Sequence, residues 1–199
     1  MGEKTAASEN RRNPGNPEKP GLQGKPGERK ERKRPEKPLL LVSACLCGQA
    51  VRYDGRSCPV PALCRLAEEG LARPFCPECA GGLPTPRLPA ECRGSRVFHP
   101  NGADCTAALE AGARLALSLC REQGLTAAVL KENSPSCGTH WIYDGSFTGR
   151  KTAGMGVAAR LLRQAGVQVF SEREWEDAVA AAARASTVSL NGRGTDQAE

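Results

Sequence analysis

The sequence predicts an α/β fold: a Rossmann-like open parallel sheet flanked by helices, forming a single domain behind a disordered N-terminal tail. Three observations lead there. Short apolar runs alternate with segments of helical periodicity, the pattern of parallel strands joined by right-handed crossovers. The run Ala127-Ala128-Val129-Leu130 is apolar without a break, as a strand covered on both faces must be. Residues 1–38 hold Pro, Gly, Lys, Arg and Glu with almost no large apolar side chain, too little to offset the entropy of ordering.

A strand at 39–43, built on Leu39-Leu40-Leu41-Val42, runs into a loop carrying Cys45. Asp54-Gly55 marks a turn. A helix is expected from about Pro59 to Glu69, with Ser57 as its cap and Gly70 as its stop. A short strand at 72–75 leads to Cys76. Residues 80–102, rich in Gly and Pro, read as one long ordered loop of the kind that carries function. A helix from Asp104 to Gln123 puts Leu109, Ala113, Ala116 and Cys120 on one face and ends at Gly124. The strand at 126–130 opens into the loop Lys131–Gly138, and Trp141–Phe147 reads as a turn with extended flanks. A helix at Gly156–Gln164, a strand at Val167–Phe170 and an alanine-rich helix at Glu174–Ala185 close the fold. The expected organisation is a tail at 1–38, a folded domain at 39–185 and a flexible segment at 186–199.

Charge and cysteine content narrow the function. The chain carries a net charge of +6, but residues 1–38 alone contribute +5, so the folded part is nearly neutral. The basic balance is therefore no sign of a nucleic-acid-binding core. The stretch Glu28–Arg34 could touch RNA phosphates weakly, or serve only as a solvated arm. No apolar signal region opens the chain and no run approaches membrane-spanning length, so a cytoplasmic protein with no membrane partner is expected. Ten cysteines in such a chain point to metal or redox chemistry before disulfides.

Cys45, Cys76 and Cys137 each follow a strand. In an open parallel sheet, ligands bind at the carboxyl ends of the strands, so three thiolates there could converge on a metal or iron–sulfur site. A cluster held by three thiolates rather than four would keep one iron free for chemistry. A competing set joins Cys45 and Cys47 to Cys76 and Cys79 as a four-cysteine zinc site, leaving Cys137 idle. Spacing alone does not choose between them. Cys58, Cys64, Cys92, Cys105 and Cys120 read as structural, and so do His99 and His140. Glu78, two residues after Cys76, could move a proton near neutrality if partly desolvated. In Lys131-Glu132-Asn133-Ser134-Pro135-Ser136-Cys137-Gly138, the serines can serve chemistry or merely form a turn.

These motifs resemble the thiouracil desulfidase family. The resemblance rests on Ser43-Ala44-Cys45-Leu46-Cys47-Gly48 with Val51–Gly55, on Cys76-Pro77-Glu78 with Gly81–Arg87, and on Lys131–Gly138. Tyr143-Asp144-Gly145, Phe147-Thr148-Gly149 and Gly154–Val157 extend it over roughly residues 39–171. It implies a [4Fe-4S] cluster held by Cys45, Cys76 and Cys137, with Glu78 and Ser134 as catalytic side chains. It also implies a non-redox, hydrolytic cleavage of a thiolated pyrimidine such as 2-thiouracil, the unliganded iron taking the sulfur and hydrogen sulfide leaving. The partner is then a small thiolated nucleobase, with the oligomeric state unspecified. Cys47 and Cys79 stand where the family usually shows apolar residues. Two other functions remain from the residues themselves. One is a zinc- or iron–sulfur-binding module contacting RNA through the tail. The other is a sulfur-transfer partner in tRNA thiolation, although the chain has no G-x-x-x-x-G-K-[ST] loop for activating its substrate with ATP.

Overall fold

In chain order the elements are β1 (Leu40–Ser43), α1 (Pro61–Glu68), β2 (Ala72–Phe75), α2 (Pro77–Ala80), β3 (Glu91–Arg93), β4 (Arg96–Phe98) and α3 (Thr106–Gln123), then β5 (Ala127–Leu130), β6 (Trp141–Tyr143), β7 (Lys151–Ala153), α4 (Val157–Gln164), β8 (Gln168–Ser171) and α5 (Trp175–Asn191). A 3-10 turn at Ala44–Cys47 continues from β1. This structure is a computed structural model that describes residues 39–191. The expected disordered tail and its RNA contact lie outside the described residues.

Four strands pair in parallel in the order β2-β1-β5-β8, the open sheet that the sequence predicts. Leu40 aligns with both Ala72 and Ala127, and Ala127 with Gln168. Because successive side chains along a strand point to opposite faces, each apolar run feeds two cores. Leu41, Ala128, Leu130 and Val169 pack with Ala116, Leu117 and Cys120 of α3 and with Ala159 and Leu162 of α4. Leu40, Val42, Ala127 and Val129 pack the other way, with Leu63 of α1 and with Ala178 and Ala182 of α5. Each leucine so buried contributes about 2 kcal/mol. Among the described residues, no helix is long and apolar enough to cross a membrane.

The strand order positions the site. From β1 the chain moves outward to β2, whereas from β5 it moves outward the other way to β8. The loops leaving β1 and β5 therefore part at the carboxyl edge and open a crevice between them.

Three expectations need correction. The segment 80–102 is not one long loop, because β3 and β4 pair antiparallel within it. Gly94, at φ 61°, supplies the positive angle that a two-residue hairpin turn needs. The strands, three residues each, are too short to show a period of two in sequence. The second correction concerns α1, which starts at Pro61 after Val60 rather than under a Ser57 cap. Proline suits the first helical position because the N–H it lacks would be unpaired there anyway. Lastly, α5 continues to Asn191, so the segment expected to be flexible from residue 186 begins as helix. No Gly or Pro interrupts the sequence before Gly192, and residues 192–199 lie outside the described residues.

Helix α2 is seated on α3 by direct backbone contact. A Cβ on Gly112 of α3 would lie 1.8 Å from the Pro77 carbonyl oxygen, and one on Gly81 would lie 2.0 Å from that of Ala108. Only glycine lets the two backbones approach so closely, and this contact sets the position of Glu78 on α2.

Candidate functional site

Cys45 sits on the 3-10 turn after β1, Cys76 directly after β2, and Cys137 near the end of the loop after β5. All three line one cavity of about 490 Å3 at the carboxyl edge, together with Glu78, Arg87 and Ser134. The thiols there resist ionisation. A hydrogen bond with Cys58 and burial push Cys45 up, and the charges of Cys137 and Cys76 add to the effect. Burial pushes Cys76 up to about 12, with the charge of Cys137 contributing. Burial likewise pushes Cys137 up to about 11, against a smaller opposing effect of the nearby serine hydroxyls. Three thiolates in so small a space repel one another, and a cationic centre is what would hold them together.

Cys47 and Cys79 point elsewhere. The Cys47 thiol donates to the Leu63 carbonyl at 3.8 Å and packs under the sheet. The Cys79 thiol donates to the Val51 carbonyl at 3.8 Å and lies 3.4 Å from Thr85 Oγ1. A four-cysteine zinc site from these two with Cys45 and Cys76 is therefore not assembled. Zinc draws its sulfurs to within about 2.3 Å of one ion, and among the described residues no three His, Cys, Asp or Glu side chains are gathered so closely. Three thiols spread around a cavity suit a polynuclear iron–sulfur cluster, which separates its cysteine ligands more widely. A buried hydroxyl beside the third thiol, Ser136 Oγ, has no hydrogen-bond partner among the described residues and offers a donor for such a group.

Glu78 enters the cavity from α2. Its Oε2 accepts from Arg87 Nε at 2.9 Å and Nη2 at 2.7 Å, and its Oε1 accepts from the Ser134 hydroxyl at 3.2 Å. Ser134 Oγ in turn accepts the backbone N–H groups of Ser136 at 3.1 Å and Cys137 at 3.0 Å. With its lone pairs so engaged, the hydroxyl proton is aimed at Glu78. The Arg87 side chain is only 5% exposed, and it also donates to the carbonyls of Val51 at 3.1 Å and Pro84 at 3.1 Å. The guanidinium thus fixes one carboxylate oxygen and leaves the other facing the cavity.

The loop carrying Ser134 and Cys137 hangs on Glu132. Its Oε1 accepts backbone N–H groups of Thr139, His140 and Trp141 at 3.1, 3.2 and 2.9 Å, and its Oε2 accepts the Thr139 hydroxyl at 2.6 Å. Burial works against ionisation of this carboxyl, but the Thr139 hydroxyl and the backbone donors outweigh it and hold its pKa below the ordinary value. The stability Glu132 contributes is therefore full above the ordinary carboxylate range and is lost as the pH falls through the depressed folded value. Glu132→Gln is expected to lower stability at neutral pH by about 2 kcal/mol. It should also flatten the acid limb of a plot of melting temperature against pH, and equally steep acid limbs in both proteins would contradict the assignment.

Sequence reasoning brought the three cysteines, Glu78 and Ser134 to one place and missed four neighbours. Arg87 stood in a family motif without a role. Glu132 looked like one polar residue among many in its loop. Cys58, read as merely structural, is a neighbour of Cys45, and its backbone N–H donates to the Cys45 carbonyl at 3.0 Å. Glu91 is buried on β3 and accepts the N–H groups of Gly145 and Phe147 at 2.9 Å each, tying the β6–β7 hairpin against the cavity wall. A carboxylate spaced to match β-strand burial inside an assumed loop was the one signal of it.

Comparison with known proteins agrees with this architecture. The model of the family described as 2-thiouracil desulfurase matches residues 40–174. An uncharacterised Bacillus subtilis (strain 168) protein, YbbK, is 41% identical over 149 residues, which span 70% of this chain and 99% of that protein. A solved structure of the [4Fe-4S]-dependent thiouracil desulfidase TudS is 52% identical, covers 73% of this chain and 97% of its own, and superposes with a TM-score of 0.70. The chain therefore belongs to the 2-thiouracil desulfurase family.

Proposed function

We propose that this chain is a [4Fe-4S]-dependent desulfidase that hydrolyses the C–S bond of a thiolated pyrimidine such as 2-thiouracil. The observation that carries the reading is the placement of Cys45, Cys76 and Cys137 around one cavity, with Glu78 and Ser134 on its wall. Those three cysteines would hold the cluster, and likeness to a [4Fe-4S]-dependent thiouracil desulfidase supports that choice. When bound, the cluster supplies an iron without a protein ligand, a soft acceptor for the sulfur of a thiocarbonyl.

The remaining work falls to this chain's own groups. A cavity of about 490 Å3 suits a single base and its attacking water. Phe75 and Pro135 give it apolar wall against which a flat ring can lie. Glu78 Oε1 takes a proton from the water as its oxygen adds to the ring carbon, and returns it as sulfur departs. Arg87 holds Oε2 so that Oε1 stays aimed at the reacting centre. Ser134 orients the water or the base by its hydroxyl. The balance is a thiocarbonyl plus water giving a carbonyl plus hydrogen sulfide, with no electrons gained or lost, so no reductant is required. None of the ten cysteines is paired in a disulfide, which suits a reducing compartment such as the cytoplasm.

The test is turnover of 2-thiouracil in water labelled with heavy oxygen, using anaerobically reconstituted protein without reductant. One labelled oxygen in each uracil and one sulfide released per uracil are expected. Unlabelled uracil, or turnover that depends on a reductant, would overturn the hydrolytic reading.

A further inference from the structure

Three glutamates line the cavity, and their oxygens are not equally engaged. Glu78 accepts from Arg87 through Oε2 and from Ser134 through Oε1. Glu132 accepts backbone N–H groups through Oε1 and the Thr139 hydroxyl through Oε2. Glu91, only 8% exposed, accepts the N–H groups of Gly145 and Phe147 at 2.9 Å each, both through Oε2. Its Oε1 accepts no hydrogen bond among the described residues. That oxygen is also not sealed in the interior, because the fully enclosed, unpaired side-chain oxygens of the described residues belong to Gln123 and Ser136.

The hairpin that Glu91 ties down does not need a charge. Arg93 Nε donates to the Gly145 carbonyl at 2.7 Å, and its guanidinium lies 5.5 Å from the centre of the Phe147 ring, so the same tip is held a second time. A glutamine at position 91 could accept both N–H groups through its amide oxygen without burying a carboxylate. No cation pairs with Glu91 among the described residues, for Arg93 is turned to Gly145 and Arg87 to Glu78. A largely buried carboxylate with two neutral donors on one oxygen is costly unless a third donor meets the other.

We infer that Glu91 is a specificity-determining residue, whose Oε1 accepts a hydrogen bond from a ring N–H of the pyrimidine. The inference rests on the reading of the cavity as the site of a thiolated pyrimidine. In 2-thiouracil an N–H flanks the thiocarbonyl on either side, so a carboxylate on the wall can hold the ring by its edge while the sulfur is presented elsewhere. A charged acceptor aimed at an N–H also turns away rings that carry a bare nitrogen or a methyl group there, because its own oxygen would be left unpaired.

The test follows sulfide release from 2-thiouracil by the reconstituted protein, wild type and Glu91→Gln, with uracil as a competing ligand. In the variant the amide oxygen keeps the two hairpin N–H groups, and an NH2 donor replaces Oε1. Iron content should match wild type. Uracil has the same ring N–H groups and no sulfur, and it should inhibit the variant about 10- to 100-fold more weakly, the worth of a hydrogen bond to a charged group. The KM for 2-thiouracil should rise with it while kcat changes little. A second arm uses wild type, with 1-methyl- and 3-methyl-2-thiouracil, each of which lacks one N–H. One of the two should lose a similar factor in kcat/KM, and that analogue should lose less in Glu91→Gln, because the partner is already gone. Unchanged inhibition by uracil in Glu91→Gln, or a fall in kcat alone, would overturn the inference. So would wild-type turnover of both methylated bases as efficient as that of 2-thiouracil, which keeps the inference falsifiable if the variant folds poorly. No sulfide from 2-thiouracil in wild type would instead overturn the desulfidase reading, and the inference with it.

Discussion

Cys137→Ala is expected to reduce iron from about four per chain to almost none and to abolish sulfide release. The residue is 5% exposed and stands on the loop after β5, across the crevice from Cys45 and Cys76. Its removal leaves only Cys45 and Cys76 of the three proposed ligands on the cavity wall, too few to hold the cluster. Metal affinity depends on ligands that the fold brings together and that lose their protons as the metal binds, and the three thiols line one cavity. Cys47→Ala and Cys79→Ala should keep their iron, because their thiols are directed to the carbonyls of Leu63 and Val51. Iron analysis of the three variants separates the two ligand sets. Loss of iron in Cys47→Ala with retention in Cys137→Ala would restore the four-cysteine arrangement.

Glu78→Gln should leave the cluster in place and lower turnover by about 10²–10⁴, the usual worth of a positioned acid–base group. Glutamine keeps the shape of the side chain and can still accept from Ser134, but it cannot take a proton from water. It also leaves the buried Arg87 without its counter-charge, which costs stability. Arg87→Lys is the sharper companion. A lysine keeps the positive charge but not the paired N–H groups that grip Oε2 at 2.9 and 2.7 Å. The carboxylate would then swing, and a displacement of about 1 Å is enough to cost about 10²-fold in rate. The measurement is sulfide release at saturating 2-thiouracil, with iron content as the control. Turnover at the wild-type rate in Glu78→Gln would remove the carboxylate from the chemistry.

How far the molecule could be read from its sequence depended on how local each cause was. The run at 127–130 declared a strand covered on both faces because its neighbours in the chain are all apolar, and Ala128 and Val129 do face opposite cores. The cysteines could be read as a converging set because each follows a strand, and parallel strands bring their carboxyl ends to one edge. Arg87 could not be read in this way. Its partner Glu78 is nine positions away in the chain, and the approach of the two depends on α2 lying on α3 at Gly81 and Gly112. Glu132 was equally hidden, since its partners are backbone N–H groups that any sequence offers. Cys58 became a neighbour of Cys45 only through the path of the loop between β1 and α1. The short hairpin of β3 and β4 escaped because three residues cannot display a period, although Gly94 marked its turn.

Whether three cysteines at this edge hold a cluster able to take sulfur from a thiolated base is decided on the reconstituted wild-type protein. Iron and acid-labile sulfide per chain would be measured before 2-thiouracil is added, and free sulfide and uracil afterwards. About four irons per chain and equal yields of sulfide and uracil are expected. A full cluster with no sulfide released from any thiolated pyrimidine, or one tightly held zinc in place of iron, would refute the assignment.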